Sequence, residues 1–301
     1  MGTPEFAVAP LKNLTEHGYN VCAVVTNPDR PVGRKQILTA PPVKTYAESV
    51  GIKVFQYDKI RKEGVSDLKE LAPDVVITCA FGQILSQEIL DIPKIGVFNI
   101  HASILPKYRG ASPISAAILH GETETGVTIM KTDAGIDTGD ILLCEKIPIE
   151  KDDDLKTLSG KLSVLGAELI VKAVKMIESG DYMLKKQDES LASYSKMIKK
   201  EDALISWNDT AENIVNKIRA FNPAPVAYTL FKGEPFKVYS AEVVGLKGEI
   251  GKAYRFNGGL SVACKDGAVL LKTVQKAGGK TMDIRDFLRG NDIPEGTEFG
   301  V

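Results

Sequence analysis

Gly96-Val-Phe-Asn99-Ile-His101-Ala-Ser103-Ile-Leu-Pro106-Lys-Tyr-Arg109-Gly110 is the stretch on which the reading of this chain turns. Its opening five residues are a near-continuous apolar run, the pattern of a strand covered on both faces by helices. Val21–Thr26 (VCAVVT) and Asp74–Ala80 (DVVITCA) have the same texture. Helical stretches with recognisable stops lie between them. One runs from about Pro4 to His17 and stops at Gly18; another runs from Pro42 to Val50 and stops at Gly51. A third is opened by Ser112-Pro113 and closed at Gly121. Strand alternating with helix predicts an α/β fold with a doubly wound, mostly parallel sheet. Thr125–Lys131 and Ile141–Ile149 follow as adjacent strands, and a long amphipathic helix, capped within Asp152–Asp154, ends near Gly180.

The stretch 181–202 is polar and lysine-rich, with no sustained apolar period, and reads as a linker. Beyond it the texture changes. A short helix over Thr210–Phe221 precedes five short strands: Ala227–Phe231, Phe236–Val244, Ala253–Phe256, Leu260–Ala263 and Ala268–Thr273, with glycine-bearing turns between them. Short strands at regular spacing predict a small closed barrel of the OB type. The expected organisation is therefore a catalytic domain over 1–180, a linker over 181–202 and an OB-like β-barrel domain over 203–301.

Composition narrows the function. The 301 residues are 44% hydrophobic and 26% charged, which are globular values. With 38 Lys/Arg against 39 Asp/Glu the net charge is −1, so binding of nucleic acid by bulk charge is excluded while a local basic face is not. Residues 203–301 hold 13 Lys/Arg against 11 Asp/Glu and are the mildly basic part. No apolar run approaches the ~20 residues of a membrane span. Cys22, Cys79, Cys144 and Cys264 are scattered, and read as buried small hydrophobes in a reducing cytoplasm rather than disulfides or a metal site.

The chemistry concentrates at the carboxyl end of the Gly96–Ile100 run, the edge at which open α/β sheets bind ligands. Asn99 and His101 are two residues apart, so on a strand they point to the same side. Asp137 lies in Asp133-Ala-Gly135-Ile-Asp137-Thr-Gly139-Asp140, where two glycines make a tight loop able to bring a carboxylate close. An amide donor, an imidazole and a carboxylate suit acyl transfer. The amide stabilises an oxyanion, the imidazole moves a proton and the carboxylate orients and charges the imidazole. With no G-x-S-x-G and no cysteine near His101, direct attack by the acceptor is favoured over a covalent acyl-enzyme. His17 and His120, each before a helix-ending glycine, read as partners of helix C-termini.

These residues, with Gly126-Val-Thr and Asp137-Thr-Gly-Asp140, resemble the signature of folate-dependent formyltransferases. The likeness extends over nearly the whole chain to the members that act on methionyl-tRNA, through Gly2-Thr-Pro-Glu-Phe-Ala7, Thr26-Asn-Pro-Asp-Arg-Pro-Val-Gly-Arg34, Ala220-Phe-Asn-Pro-Ala-Pro225 and Gly279-Lys-Thr-Met282. The resemblance implies formyl transfer from 10-formyltetrahydrofolate to the α-amino group of initiator methionyl-tRNA, without a metal. It implies Asn99, His101 and Asp137 as the catalytic trio, and Phe81, Ser103, Ile104, Leu105, Pro106 and Asp140 around the folate. It also implies a cytoplasmic monomer whose second domain helps to hold tRNA. The long loop Asn27–Pro42 carries Arg30, Arg34 and Lys35, charges suited to an RNA backbone. Rivals are the same chemistry directed at a sugar amine, glycinamide ribonucleotide or water, and a non-catalytic RNA-binding protein of the same fold. One departure stands out. The family's fold opens with a strand before Gly-Thr-Pro, whereas here Met1 directly precedes Gly2. An initiation codon assigned to an internal methionine is preferred over a shortened chain, and a gap in the sheet with low stability is expected.

Overall fold

The computed structural model describes residues 1–33 and 35–300, and the chain divides into two compact units. The first comprises Met1–Pro113, Glu124–Pro148 and Ser159–Lys196; the second takes Ile114–Thr123, Ile149–Leu158 and the chain from Met197 onward. Up to residue 90 the elements are α1 (Val8–Glu16), β1 (Val24–Thr26), β2 (Arg30–Val32), β3 (Ile37–Thr39), α2 (Pro42–Ser49), β4 (Val54–Gln56), α3 (Ile60–Glu63), α4 (Val65–Leu71), β5 (Val75–Cys79) and α5 (Gln87–Leu90). Then come β6 (Gly96–His101), β7 (Arg109–Gly110), α6 (Pro113–Leu119), β8 (Glu124–Lys131), β9 (Ile141–Pro148), α7 (Leu155–Ser179) and β10 (Tyr194–Ser195).

The main sheet of the first unit runs β5-β6-β8-β9. β5 and β6 are parallel, with Thr78 opposite Asn99; β8 is antiparallel to β6, with Thr128 opposite His101, and β9 is antiparallel to β8. The sheet is thus mixed, with a parallel core, rather than mostly parallel. The residues between β8 and β9 form a loop with no crossover helix, and a direct return of this kind reverses strand direction. β1 and β4 form a separate parallel pair.

Among the described residues no strand joins β1 to β5. Met1 and Gly2 bridge the two at one end: Gly2 N donates to Val25 O at 3.0 Å, Cys79 N to Met1 O at 2.9 Å and Met1 N to Ile77 O at 2.6 Å. Beyond them lies a cavity of about 500 Å³ lined by Leu14, Ala23, Val25, Val75, Ile77 and Ile177 among others. Its lining is apolar and drawn from β1, β5, α1 and α7.

The second unit contains α8 (Ala211–Ala220), β11 (Tyr228–Phe231), β12 (Glu234–Val244), β13 (Ala253–Phe256), β14 (Gly259–Ala263), β15 (Ala268–Lys276), β16 (Met282–Asp283) and α9 (Ile284–Gly290). Thr210 caps α8 by accepting from Asn213 N. The antiparallel sheet runs β11-β12-β15-β14-β13, with β16 added to β15. Register shifts between Val238 and Ala241 curl the β12–β15 ladder. Inside the curl Phe231, Phe236 and Phe299 pack with ring centroids 5.1 to 5.9 Å apart, and Val238, Leu260, Val262 and Leu271 are wholly buried around them. β16 and α9 were not anticipated from the sequence pattern. Of the cysteines, Cys79 and Cys264 are buried as expected, but Cys22 and Cys144 are exposed. Cys144 falls on the face of β9 where every second residue meets solvent.

Candidate active site

β6 delivers two of the three candidate groups because its side chains alternate. Asn99 is half-buried and His101 is buried, both beyond the apolar Val97 and Phe98 that anchor the strand. The neighbouring strand settles how the Asn99 amide sits. Thr78 Oγ1, directly across on β5, donates to Asn99 Oδ1 at 2.9 Å, which turns the Asn99 N–H groups outward. One of them reaches Asp137 Oδ1 at 3.4 Å. His101 Nε2 lies 3.0 Å from Tyr108 O, and Nδ1 lies 3.5 Å from Asp137 Oδ2. Both ring nitrogens therefore face oxygen acceptors. The Nδ1 contact is at ion-pair rather than hydrogen-bond length, and such contacts tighten when substrate arrives.

Asp137 comes from the loop between β8 and β9, and its φ of 53° is the left-handed conformation that few side-chain-bearing residues adopt. Gly110 N donates to its Oδ2 at 2.8 Å, the firmest contact of the carboxylate. The loop is tied within itself by Asp133, whose Oδ1 accepts from Gly135 N and Thr138 Oγ1. A second tie comes from Gln187, whose Nε2 donates to the carbonyls of Asp137 and Gly139. Gln187 sits inside the stretch read as a linker. From that stretch Ser193 O and Oγ also accept from Arg109 N and Tyr108 N, and β10 pairs with β7 in parallel.

The segment after His101 folds tightly on β8. Thr128 Oγ1 donates to Ser103 O at 2.7 Å and accepts from Leu105 N, while Ser103 Oγ donates to Lys107 O. Ser103 and Leu105 are buried; Ile104 and Pro106 are half-exposed. Phe81, by contrast, is spent on the core, packed with Val25, Tyr57, Ile60, Leu68 and Ile89. Asp140 is half-buried, and its carbonyl accepts from Lys131 N. Arg30 stands on the exposed hairpin β2–β3, paired with Asp58, and Lys35 is exposed near its tip. Arg34 lies outside the described residues. The sequence reading treated Asn27–Pro42 as an irregular loop and missed the hairpin, which presents Val32, Ile37 and Leu38 to solvent. Also missed were Thr78, Gly110 and Gln187. Thr78 needs the β5–β6 register to be seen, and nothing in the order of residues marks the other two. His17 and His120 each bond the helix carbonyl four residues back, as expected of helix C-termini. Among the described residues no group of three or more His, Cys, Asp or Glu could hold a metal ion, and no helix is long and apolar enough to cross a membrane.

An amide N–H, an imidazole and a carboxylate converge at the carboxyl end of a central strand, and the chain belongs to the formyl transferase family. The formyl transferase model matches residues 1–174, and the model of the family's C-terminal domain matches residues 197–292. Over its full length the chain is 46% identical to the methionyl-tRNA formyltransferase of Geobacter sulfurreducens, covering 95% of that protein. Among solved structures, the N-formyltransferase from Helicobacter canadensis in complex with folinic acid and dTDP-3-aminofucose matches with a TM-score of 0.68 at 24% identity, over 91% of this chain and 97% of that one. HypX from Aquifex aeolicus in complex with tetrahydrofolic acid matches 88% of this chain with a TM-score of 0.63 at 19% identity; this chain spans about half of its length (46%). At those identities the structural likeness shows the fold alone.

Proposed function

We propose that this chain transfers the formyl group of 10-formyltetrahydrofolate to the α-amino group of initiator methionyl-tRNA, for initiation of translation, and that Asn99, His101 and Asp137 are its catalytic residues. The observation that carries the reading is the meeting of those three side chains at the end of β6, in a chain with a full-length relative that bears this activity's name. An α-amine titrates near ~7.7, so much of it is neutral and nucleophilic near pH 7. Its lone pair attacks the formyl carbon and the carbonyl electrons move onto oxygen. Asn99, whose oxygen is engaged by Thr78, has an N–H to offer that oxyanion, and a protonated His101 adds positive charge beside it. Collapse expels the folate nitrogen, which takes the proton the attacking nitrogen gives up. Asp137 orients the His101 ring and positions the water that relays this proton.

The half-exposed Ile104 and Pro106, over a loop fixed by Ser103 and Leu105, offer an apolar edge to a flat pterin ring, with Asp140 at the far side of the Asp137 loop. Arg30 and Lys35 of the hairpin contact the tRNA backbone, as does Arg34, and the exposed Val32, Ile37 and Leu38 of the hairpin give that contact an apolar component. Residues 1–180 act as the catalytic domain, 181–202 as the connection and 203–301 as an OB-like barrel that assists tRNA binding. The protein works as a cytoplasmic monomer.

The test is transfer of labelled formyl from 10-formyltetrahydrofolate to charged initiator methionyl-tRNA, with free methionine, uncharged tRNA and a nucleotide-linked amino sugar as comparison acceptors. Preference for the charged tRNA is expected. Transfer to the amino sugar alone would reassign the acceptor. Arg34→Ala should lower transfer to tRNA while leaving folate affinity unchanged, and equal loss of both would remove the hairpin from tRNA recognition.

A further inference from the structure

Gln187 joins two sets of hydrogen bonds. On one side is Arg109, whose side chain is wholly buried. Its Nε and Nη2 donate to Gln187 Oε1 at 3.1 and 2.9 Å, its Nη1 and Nη2 hold the Glu189 carboxylate at 2.9 and 2.7 Å, and Nη1 also reaches the Tyr194 hydroxyl. On the other side, Gln187 Nε2 donates to Asp137 O at 2.8 Å and Gly139 O at 2.7 Å. The guanidinium decides which way the amide faces. A flipped amide would set N–H against N–H on one side and oxygen against two carbonyls on the other. The amide thus has four hydrogen bonds, and none of its capacity is left over.

What it holds is the backbone of the loop that carries Asp137, a loop bent through a left-handed residue that local preference does not secure. Gly110, next to Arg109, bonds the Asp137 carboxylate from its main chain. One dipeptide therefore grips the loop twice, at the carboxylate through Gly110 N and at the backbone through Arg109 and Gln187. The contacts of the carboxylate with Asn99 and His101, at 3.4 and 3.5 Å, are long enough that a small displacement would break them.

We propose that Gln187, locked by Arg109, is the positioning residue that sets Asp137 against His101 and Asn99. This rests on the reading of those three side chains as the reacting groups. Gln187→Glu keeps the shape and the acceptor for Arg109, but replaces the donor to the two carbonyls with an oxygen. Single-turnover formyl transfer should fall ~10- to 100-fold, the usual cost of losing the support of a catalytic group. The KM for 10-formyltetrahydrofolate should stay close to that of the parent, while the melting temperature falls because buried polar groups lose their partners. Gln187→Met, of similar length and without polar atoms, carries the same expectation should the carboxylate variant fold poorly. The deciding readout is the double variant: in an Asp137→Ala background, where no carboxylate remains to be positioned, either Gln187 substitution should cost less than about twofold. Equal losses in both backgrounds would mark Gln187 as merely structural and overturn the proposal, as would full activity in both single variants. Full turnover in Asp137→Ala would instead sink the reading beneath it, and the proposal with it.

Discussion

Thr78 shows how the orientation of a candidate side chain can be set by its neighbour on the adjacent strand. Its hydroxyl holds Asn99 Oδ1 and so decides that the amide presents N–H rather than oxygen to the site. Without it the amide is free to rotate and to offer an acceptor to a developing negative charge. Thr78→Val, which removes the donor at nearly constant volume, should therefore lower formyl transfer ~10-fold, short of the ~10²–10³ expected for removing an oxyanion donor outright. Comparing kcat for Thr78→Val and Asn99→Ala checks this, and an unchanged kcat in the former would show that the amide is oriented by something else. Asn99 and His101 were legible because a two-residue spacing on a strand needs no knowledge of the rest of the fold. Thr78 and Gln187 were not. The first depends on which strand lies beside β6 and in what register; the second lies in a polar stretch whose lack of apolar period says nothing of where its side chains reach.

The loop that carries Asp137 owes its shape to its glycines. A Cβ on Gly139 would stand 1.7 Å from Lys131 O, a main-chain atom at the end of β8 that cannot move aside. Gly139→Ala should destabilise the chain by ~1–3 kcal/mol and cut turnover further than that loss of folded protein explains, because Asp137 is two residues away. Gly160→Ala is the matched control. It lies within α7 with nothing inside 4 Å of the added carbon, and it should be neutral or stabilising by up to ~1 kcal/mol. Urea unfolding and transfer assays on both variants separate these outcomes; equal effects would contradict the account. The two glycines were read correctly from the sequence as a tight loop, and the five strands of the second unit were read as a small closed barrel where the structure shows a curled antiparallel sheet. The β2–β3 hairpin escaped because its strands are three residues each, all exposed, and one of them contains Pro31. With no buried face such strands leave no alternation to read.

At the scale of the whole molecule, none of the three candidate side chains lines the cavity between β1 and β5. Asn99 and His101 stand on the strand beyond β5, and no contact of the trio runs through the cavity. Cys79 lies at its edge, and burial pushes its thiol up from its ordinary value near 9 to about 12. The folded chain then keeps a proton that the unfolded chain releases, so the stability held below pH 9 is lost as pH rises from about 9 towards 12. Relative to Cys79→Ala, the parent should lose stability above pH 9 with a slope of up to about 1.4 kcal/mol per pH unit. Urea midpoints at pH 8, 9 and 10 test this, and a constant difference between the two proteins would contradict it. The curl of the second sheet was not legible, since it follows from a register shift within β12–β15. The central claim is that Asn99, His101 and Asp137 act together on one formyl group, and the most direct measurement is the single-turnover rate of formyl transfer to methionyl-tRNA by Asp137→Ala against the parent at saturating 10-formyltetrahydrofolate. A fall of ~10²-fold or more, with melting temperature and folate binding retained, is the predicted result. Turnover within a few-fold of the parent would show that the chemistry is done elsewhere.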